Sequence, residues 1–239
     1  ADGEALKAAV ESGEQLTFGA LGNVQSEGDH LADFSSRGPV EGTYDIKPDV
    51  TAPGVAIYST VPAFINDPET ENYDIAYARM QGTSMASPHV AGVAALILQE
   101  HPDYTPFDVK AALMNTSVDM QADYSVYEVG AGRIHAYAAV HASTYIKVPD
   151  QTEMVDGEEV ITFDTEKGAL VFGSFYFEGD AAIEAEKTMT IGNRADEAQS
   201  YQLEAEFLPA RDQRQDAAEN GVELNMDAAL TLPAGETAD

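Results

Sequence analysis

One eleven-residue string, GTSMASPHVAG from Gly82 to Gly92, constrains this chain more than any other feature. A glycine precedes two hydroxyl residues, and the apolar segment 93–98 follows. The pattern predicts a sharp turn into a helix over 84–99 that is apolar nearly all round and therefore buried on every side. Pro88 fits such a helix only because it falls in the first turns. Ser84 is then expected at the helix start, where unpaired N–H groups and the helix dipole favour a developing oxyanion, so the turn suits a serine nucleophile.

Composition limits the classes of partner. The chain has 239 residues, 44% of them hydrophobic, enough for one large domain or two modest ones. A formal net charge of −30 makes nucleic acid and anionic membrane surfaces poor partners. The acidity favours a solvated surface, and adaptation to high salt is the alternative. Cysteine is absent, which excludes disulfides and thiolate metal sites. No apolar run reaches the roughly 18 residues of a membrane span.

Local patterns predict mainly short elements before the serine string and two helices after it. Thr105, Pro106 and Asp108 form a strong helix start, with a cap, a proline at the first position and an acid three residues after the cap. The predicted elements are a helix over 2–12, a strand over 15–20, short strands within 31–39 and 46–62, a polar loop over 63–78, and helices over 105–115 and 134–142.

The hydrophobic pattern of the sequence changes near residues 143–150. Beyond that point the helical period vanishes, and short alternating runs separated by turns are typical of an antiparallel β-sandwich. The predicted strands are 160–163, 170–177, 187–191, 201–207, 222–224 and 230–232, with turns at 192–193 and 233–235.

The serine string resembles the signature of the subtilisin-like serine peptidases (subtilases, family S8). LADFSSRGP (31–39), IKPDVTAPGV (46–55) and GAGRI (130–134) are also similar to family segments, so the resemblance covers about Leu31 to Ala142. It is greatest to large bacterial extracellular members with a protease-associated insert. The implied fold is α/β, the C-terminal part of a subtilisin-like parallel-sheet catalytic domain followed by an all-β fibronectin-III-like sandwich. The implied domains are the end of the insert (1–24), the catalytic part (25–145) and a truncated sandwich (146–239).

The resemblance makes Ser84 the catalytic nucleophile of an endopeptidase that hydrolyses protein and peptide substrates by acyl transfer. The family orders its triad Asp, His, Ser, and its Asp-Ser/Thr-Gly and His-Gly-Thr-His segments have no counterpart here. His89 follows Ser84 by five residues, about 140° round a helix, and is expected to face away. His30 is an improbable base in a polar turn. The remaining histidines are interpreted as solvated: His101, His135 and His141.

The base and the orienting acid are therefore expected from the upstream half of the same polypeptide, and the chain alone is predicted to be inactive. The alternative is a catalytically inactive relative that serves as a binding or scaffold module. Asn23 is not assigned to the oxyanion hole, because the family's oxyanion Asn precedes the insert. Gln81, where many members have Asn, borders the cleft, so the leaving-side preference is expected to differ.

The remaining implications concern cofactors, location and charged residues. No cofactor is required for the chemistry, and structural calcium is compatible with the family but not assigned to residues, since the acidic run 153–159 lacks EF-hand spacing. The resemblance implies a secreted protein, with or without attachment to the cell wall. Arg37, Asp49 and Pro53 are interpreted as structural, forming turns and a buried pairing.

Overall fold

A computed structural model describes residues 2–14, 28–42, 44–69, 73–120, 124–157, 159–173, 175–176, 182–205 and 221–239. The helices are α1 (Asp2–Glu11), α2 (Thr83–Glu100), α3 (Pro106–Asn115), α4 (Val126–Val129) and α5 (Ala136–Val140). The strands are β1 (Ile57–Thr60), β2 (Tyr77–Met80), β3 (Thr144–Asp156), β4 (Glu159–Lys167), β5 (Thr190–Asn193), β6 (Gln199–Gln202), β7 (Ala229–Leu232) and β8 (Thr237–Ala238). Two single 3₁₀ turns, Ala63–Ile65 and Tyr73–Ile75, separate β1 from β2.

Helix α3 contacts both neighbouring helices and the sheet. Thr105 and Asp108 form the predicted capping box, since the Asp108 N–H donates to Thr105 Oγ1 at 3.2 Å and the Thr105 N–H donates to Asp108 Oδ2 at 2.8 Å. One side of α3 packs against α2 and α5, and the other packs against β3. Both sides are therefore covered, and six of its ten residues are buried.

The main core lies among the helices. Val93 and Ile97 of α2 pack against Val109 and Leu113 of α3, and Ala139 of α5 closes the cluster. The predicted helices near 84–99 and 105–115 are thus confirmed, and α1 confirms the helix over 2–12, with Gly13 at φ 85° ending it. Within the described parts of the chain, no helix combines the length and the hydropathy that a membrane crossing needs.

The strands after 143 form two antiparallel sheets. One has the order β4-β3-β5-β8, with Val148 opposite Lys167 and Thr144 opposite Asn193, and the other pairs β6 with β7. Asn193 joins the turn regions between these strands. Its side chain is 2% exposed, its Nδ2 lies within hydrogen-bond distance of the carbonyls of Glu197 and Leu232, and its Oδ1 accepts from the Ala195 N–H.

Several sequence expectations were wrong. Segment 31–39 has no strand, and within 46–62 only β1 confirms the predicted short strands. Among the described residues, Thr51 and Arg133 form one parallel bridge. The described residues of 170–177 and 222–224 are also not strands, because they have no hydrogen-bonded partner strand. Residues 192–193 lie inside β5 rather than in a turn. The expected strand over 15–20 lies outside the described residues.

The expectation that α2 is buried on every side was also wrong. Val93 and Ile97 are buried, but Leu96 is 50% exposed and Leu98 is 42% exposed. Contacts among the described residues cover one side of the helix, formed by α3 and α5. An apolar face is therefore left in solvent, an arrangement that usually marks a surface for another protein segment.

Charged side chains link α3 to the sheet. Asp108 Oδ1 accepts from Lys147 at 3.0 Å and from Arg194 at 2.5 Å, and Lys147 also pairs with Glu166 at 2.8 Å. The Arg194 guanidinium lies between two tyrosine rings, 4.2 and 4.3 Å from the centroids of Tyr104 and Tyr145. Lys167 of β4 forms two further ion pairs, with Asp45 and with Asp150 of β3, both at 2.7 Å.

Candidate functional site

Two glycines shape the turn that leads into α2. Gly82 has φ 149° and ψ 161°, a conformation that side chains disfavour, and its N–H donates to the Gly54 carbonyl at 2.8 Å. A Cβ on Gly54 would lie 2.9 Å from the Gly82 oxygen. Both positions therefore need glycine, and the close contact between the two backbones fixes where α2 begins.

Ser84 is the second residue of α2 and is exposed. The Met85 N–H already donates to the Gly82 carbonyl at 2.9 Å, so the N–H groups left without an intrahelical acceptor are those of Thr83 and Ser84. The positive end of the helix dipole adds to the attraction of these two donors for an anion. The Ser84 hydroxyl and these donors thus occupy the same end of the same helix, an arrangement that could bind a developing oxyanion beside the attacking oxygen.

Ser84 lines a cleft of about 310 Å³ whose lining is mostly apolar. One wall is the β1–β2 hairpin, and the other is the first two turns of α2. Ala78 and Met80 of β2 alternate in facing the cleft, because side chains of a strand point to opposite sides in turn, whereas consecutive residues line it at the end of β1. The complete lining is Ile57, Ser59, Thr60, Val61, Ala78, Met80, Ser84, Met85, Pro88 and His89.

The position of His89 corrects a sequence expectation. His89 and Ser84 line the same cleft, so His89 does not face away from the serine. Side chains four residues apart lie on the same side of a helix. Two such pairs border the cleft, Ser84 with Pro88 and Met85 with His89. The His89 ring is nevertheless bound to its own helix, with Nδ1 2.8 Å from the Met85 carbonyl oxygen. Among the described residues, no hydrogen bond joins Ser84 to a histidine.

Two of the other histidines have structural contacts. His101 is partly buried, with Nε2 2.7 Å from the Val140 carbonyl oxygen and its ring stacked on Tyr104. His135 caps α5 by accepting from the Ala138 N–H at 3.2 Å. His101 is therefore not simply solvated, as the sequence suggested, whereas His135 and His141 are exposed as expected, the latter with its ring against Tyr137.

Arg37 and Asp49 have the structural roles that were expected. Arg37 pairs with Glu128 at 3.3 Å, and Asp49 pairs with Lys47 at 2.6 Å and with Lys110 at 2.8 Å. Burial by itself would raise the pKa of Asp49, but hydrogen bonds from Lys110 and Lys47 outweigh it and lower the pKa. Asp49 is therefore a paired carboxylate that links the 46–55 segment to α3.

Other expected site features are less well placed. Asn23 lies outside the described residues, and Gln81 is exposed directly before the Gly82 turn. In the described part of the chain, no group of three or more His, Asp and Glu side chains is arranged to hold a metal ion, so no calcium site is assigned.

Strand β2 of the hairpin wall was not anticipated from the sequence, which suggested a polar loop over 63–78, whereas β1 lies within 46–62, where short strands were predicted. The signal was nonetheless present. Residues 57–61 are rich in β-branched and aromatic types, and in the second run Ala78 and Met80 alternate with the more polar Tyr77 and Arg79, which are patterns of strands. The long segment between the two runs concealed the pairing.

Comparisons with known proteins agree on one family. Residues 7–132 match the model of the peptidase S8 subtilase family. Minor extracellular protease Vpr of Bacillus subtilis is 38% identical over 86% of this chain and 23% of its own length. Serine protease AprX of the same organism is 39% identical over 58% of this chain and 32% of its own length.

A solved structure is also similar. Fervidolysin from Fervidobacterium pennivorans, a keratinolytic enzyme related to subtilisin, is 28% identical, covers 57% of this chain and 23% of its own, and has a TM-score of 0.39. The chain thus spans about a quarter to a third of the length of these proteins. Because the family model matches more than half of the 239 residues and includes the turn that carries Ser84, this chain belongs to the subtilase family.

Proposed function

We propose that this chain is the C-terminal part of a secreted serine endopeptidase in which Ser84 is the nucleophile. The observation that carries the proposal is the placement of Ser84, exposed at the N-terminus of α2 and lining a mostly apolar cleft. The names of the relatives support the activity, since Vpr is called an extracellular protease and AprX a serine protease. Protein or peptide substrates follow from the same activity.

The chemistry is acyl transfer in two steps. Ser84 Oγ attacks the peptide carbonyl carbon while its proton passes to a base, and the N–H groups of Thr83 and Ser84 at the start of α2 stabilise the oxyanion. The amine then leaves with that proton, and water hydrolyses the acyl-serine by the same route in reverse. No hydrogen bond from Ser84 to a base is found among the described residues, so base and acid are assigned to the upstream half of the polypeptide.

The same upstream half is proposed to cover the exposed apolar face of α2. Leu96 and Leu98 lie on a helix whose other side is already packed, and the relatives extend well beyond this chain. We also propose that residues 1–24 end a protease-associated insert and that the strands after 145 belong to a fibronectin-III-like sandwich. The strands from β3 to β8 pair antiparallel in two sheets, which supports the assignment of a fibronectin-III-like sandwich.

A fluorophosphonate probe tests the activity. We expect it to label Ser84 in a polypeptide that includes the upstream half, and to label neither the isolated chain nor the Ser84→Ala variant of the longer polypeptide. Losing the base of such a catalytic unit costs about 10⁶-fold in turnover, so labelling of the isolated chain should be negligible. Labelling of the isolated chain at the rate of the longer protein would refute the assignment of the base.

The rival function is an inactive relative that acts as a binding module. It predicts no labelling of the longer polypeptide, even when that polypeptide is folded by circular dichroism and thermal unfolding. The intact turn around Ser84 argues against this rival, because a module without activity has no chemical need for an exposed serine at a helix N-terminus.

A further inference from the structure

The hairpin beside Ser84 carries a long connection, residues 61–76, which we call the arm. Hairpin connections usually have about 2–5 residues, so this one far exceeds what joining β1 to β2 requires. The excess length is organised by two 3₁₀ turns, one at Ala63–Ile65 and one at Tyr73–Ile75. A connection of this kind is a feature to explain in its own right, since long ordered loops on enzymes are frequently functional.

The described parts of the arm are folded. Asn66 Nδ2 donates to the carbonyls of Ile75 and Tyr77, the latter at 3.0 Å, and the Val61 N–H donates to the Ala76 carbonyl at 2.9 Å. These bonds close the two ends of the arm on each other. At the adjoining strands, the rings of Tyr58 and Tyr77 stack with centroids 5.5 Å apart. The described residues of the arm, 61–69 and 73–76, therefore present a preformed surface, which lowers the entropy cost of binding.

The arm exposes large apolar side chains in place of burying them. Phe64 is 63% exposed, Ile65 is 48% exposed and Tyr73 is 77% exposed, while the small Ala63 and Ala76 are buried. Exposed aromatic side chains on a preformed scaffold are typical of binding surfaces, because they supply contact area with little loss of rotamer freedom.

The arm begins where the cleft wall ends. Thr60 and Val61 line the cleft with Ser84, and the first turn of the arm starts two residues later at Ala63. A bound polypeptide that lies along the arm would thus continue into the cleft that Ser84 lines.

The charge of the region selects among partners. Between Ile57 and Met80 the sequence has four acidic residues and one basic residue, which gives −4 + 1 = −3. Asp67 and Glu69 are exposed on the arm itself. A basic segment is therefore attracted and an acidic one repelled, most strongly at low ionic strength.

We propose that the arm is a docking surface for protein substrates. It binds an extended stretch that carries apolar or aromatic side chains flanked by basic residues, and it thereby brings a neighbouring peptide bond to Ser84. The proposal rests on the proposed endopeptidase function and adds the substrate class. Short peptides that fill only the cleft gain nothing from the arm, so the arm distinguishes long substrates from short ones.

The test uses the polypeptide that includes the upstream half and two substrates with the same cleaved bond. One is a chromogenic tetrapeptide, and the other is a 24-residue peptide whose extension carries Phe, Leu and Lys. For the Phe64→Ser, Tyr73→Ser double variant, we expect the ratio of kcat/KM for the long peptide to that for the short peptide to fall about tenfold, mostly through KM. The matched control Tyr176→Ser, which removes a tyrosine that is 84% exposed outside the arm, should leave the ratio unchanged.

A second part of the test concerns charge. The Asp67→Asn, Glu69→Gln variant should lose about threefold of the preference for the Lys-bearing peptide over a Glu-bearing version, and 0.5 M NaCl should abolish the difference. An unchanged preference for the Lys-bearing peptide would contradict the charge part of the proposal.

Binding measured without turnover separates this proposal from the proposed function. With the Ser84→Ala background, fluorescence anisotropy of the labelled 24-residue peptide should show about tenfold weaker binding when the two aromatic residues of the arm are replaced. If the native protein fails to react with a fluorophosphonate but this difference is seen, the endopeptidase function fails and the docking surface stands. If the replacements leave binding unchanged, the docking surface fails. If instead they lower the unfolding temperature by several degrees and affect both substrates equally, the arm packs against the rest of the protein, and the proposal is overturned.

Discussion

Among single residues, Asp108 connects the most parts of the fold. One carboxylate oxygen completes the helix cap with Thr105, and the other accepts from Lys147 and Arg194 of the sheet. Burial alone would raise the pKa of Asp108, but the hydrogen bonds from Thr105, Lys147 and Arg194 outweigh it and hold the pKa far below its usual range. The ionised form is therefore strongly favoured in the folded state.

The pH dependence of stability follows from that shift. An unfolded Asp has a pKa of about 3.9, so Asp108 contributes its full stabilisation above about pH 5 and loses it as the pH falls toward the lower folded-state value. We expect Asp108→Asn to cost about 3 kcal/mol at pH 7, since it leaves Arg194 without its carboxylate and Lys147 with Glu166 alone. We also expect the fall in unfolding temperature between pH 5 and pH 2 to be shallower in the variant.

Asp103→Asn is the matched control, because Asp103 is exposed and lies in the short connection between α2 and α3. It should change the unfolding free energy by less than about 0.5 kcal/mol. If Asp108→Asn and Asp103→Asn gave the same acid-side slope in thermal unfolding, the stabilisation assigned to Asp108 would be wrong.

At the scale of elements, α2 has one buried face and one exposed face. Ile97 is fully buried against α3 and α5, whereas Leu96, its neighbour in sequence, is half exposed. In the isolated chain, we expect Ile97→Ala to cost about 2–5 kcal/mol and Leu96→Ala less than about 1 kcal/mol, by denaturant unfolding. In a polypeptide that includes the upstream half, the cost of Leu96→Ala should rise above about 2 kcal/mol, because the proposed cover would then bury it.

The comparison of the two polypeptides decides whether the exposed face is an interface. A cost for Leu96→Ala that stays the same in both would show that the upstream half does not cover this face. Ile97→Ala acts as the internal reference, since its surroundings are already complete in the isolated chain.

The elements that could be predicted are those whose signal is local. The cap of α3 is readable in Thr105 and Asp108, and the turn before α2 is readable in Gly82. Strand β3 was missed because its sequence contains Pro149 and several charges, and because its identity depends on distant partners. Pro149 is tolerated there because only 144–147 of β3 pair with β5, so the position lies in the part of the strand that pairs with β4 alone.

The same reasoning applies to the candidate site. Ser84 was predictable from its string, but the cleft that contains it was not, because its far wall comes from a hairpin whose strands are separated by the arm. The orientation of His89 was misjudged because an angle round a helix axis does not say how wide a groove the neighbouring elements leave.

For the whole molecule, charge is distributed unevenly. Five of the twelve basic residues, Lys47, Lys110, Lys147, Lys167 and Arg194, pair with carboxylates near α3 and the sheet. Most of the remaining acidity is therefore not neutralised by partners within the chain. The self-repulsion of a net −30 is expected to oppose the compact state at low ionic strength.

We accordingly expect the unfolding temperature to rise between 0.05 and 1 M NaCl, where the Debye length falls to about 3 Å. The matched variant replaces three exposed residues, Glu184→Lys, Glu186→Lys and Glu223→Lys, and changes the net charge by +6, from −30 to −24. It should start from a higher unfolding temperature in low salt and respond less to added salt. A flat or falling response of the native chain would contradict adaptation to high salt.

The burial of α3 on both sides has a consequence for protein engineering. By composition, the stretch 143–150 looks like a place to cut the chain or to graft another module. Yet β3 begins at Thr144 and supplies one of the two surfaces against which α3 packs, while the opposite side of α3 supports the helix that carries Ser84. A cleavage site or fusion point placed there would remove one of the two surfaces that hold α3 behind the serine, so permissive sites should be sought in exposed turns such as the one at Gly157, between β3 and β4.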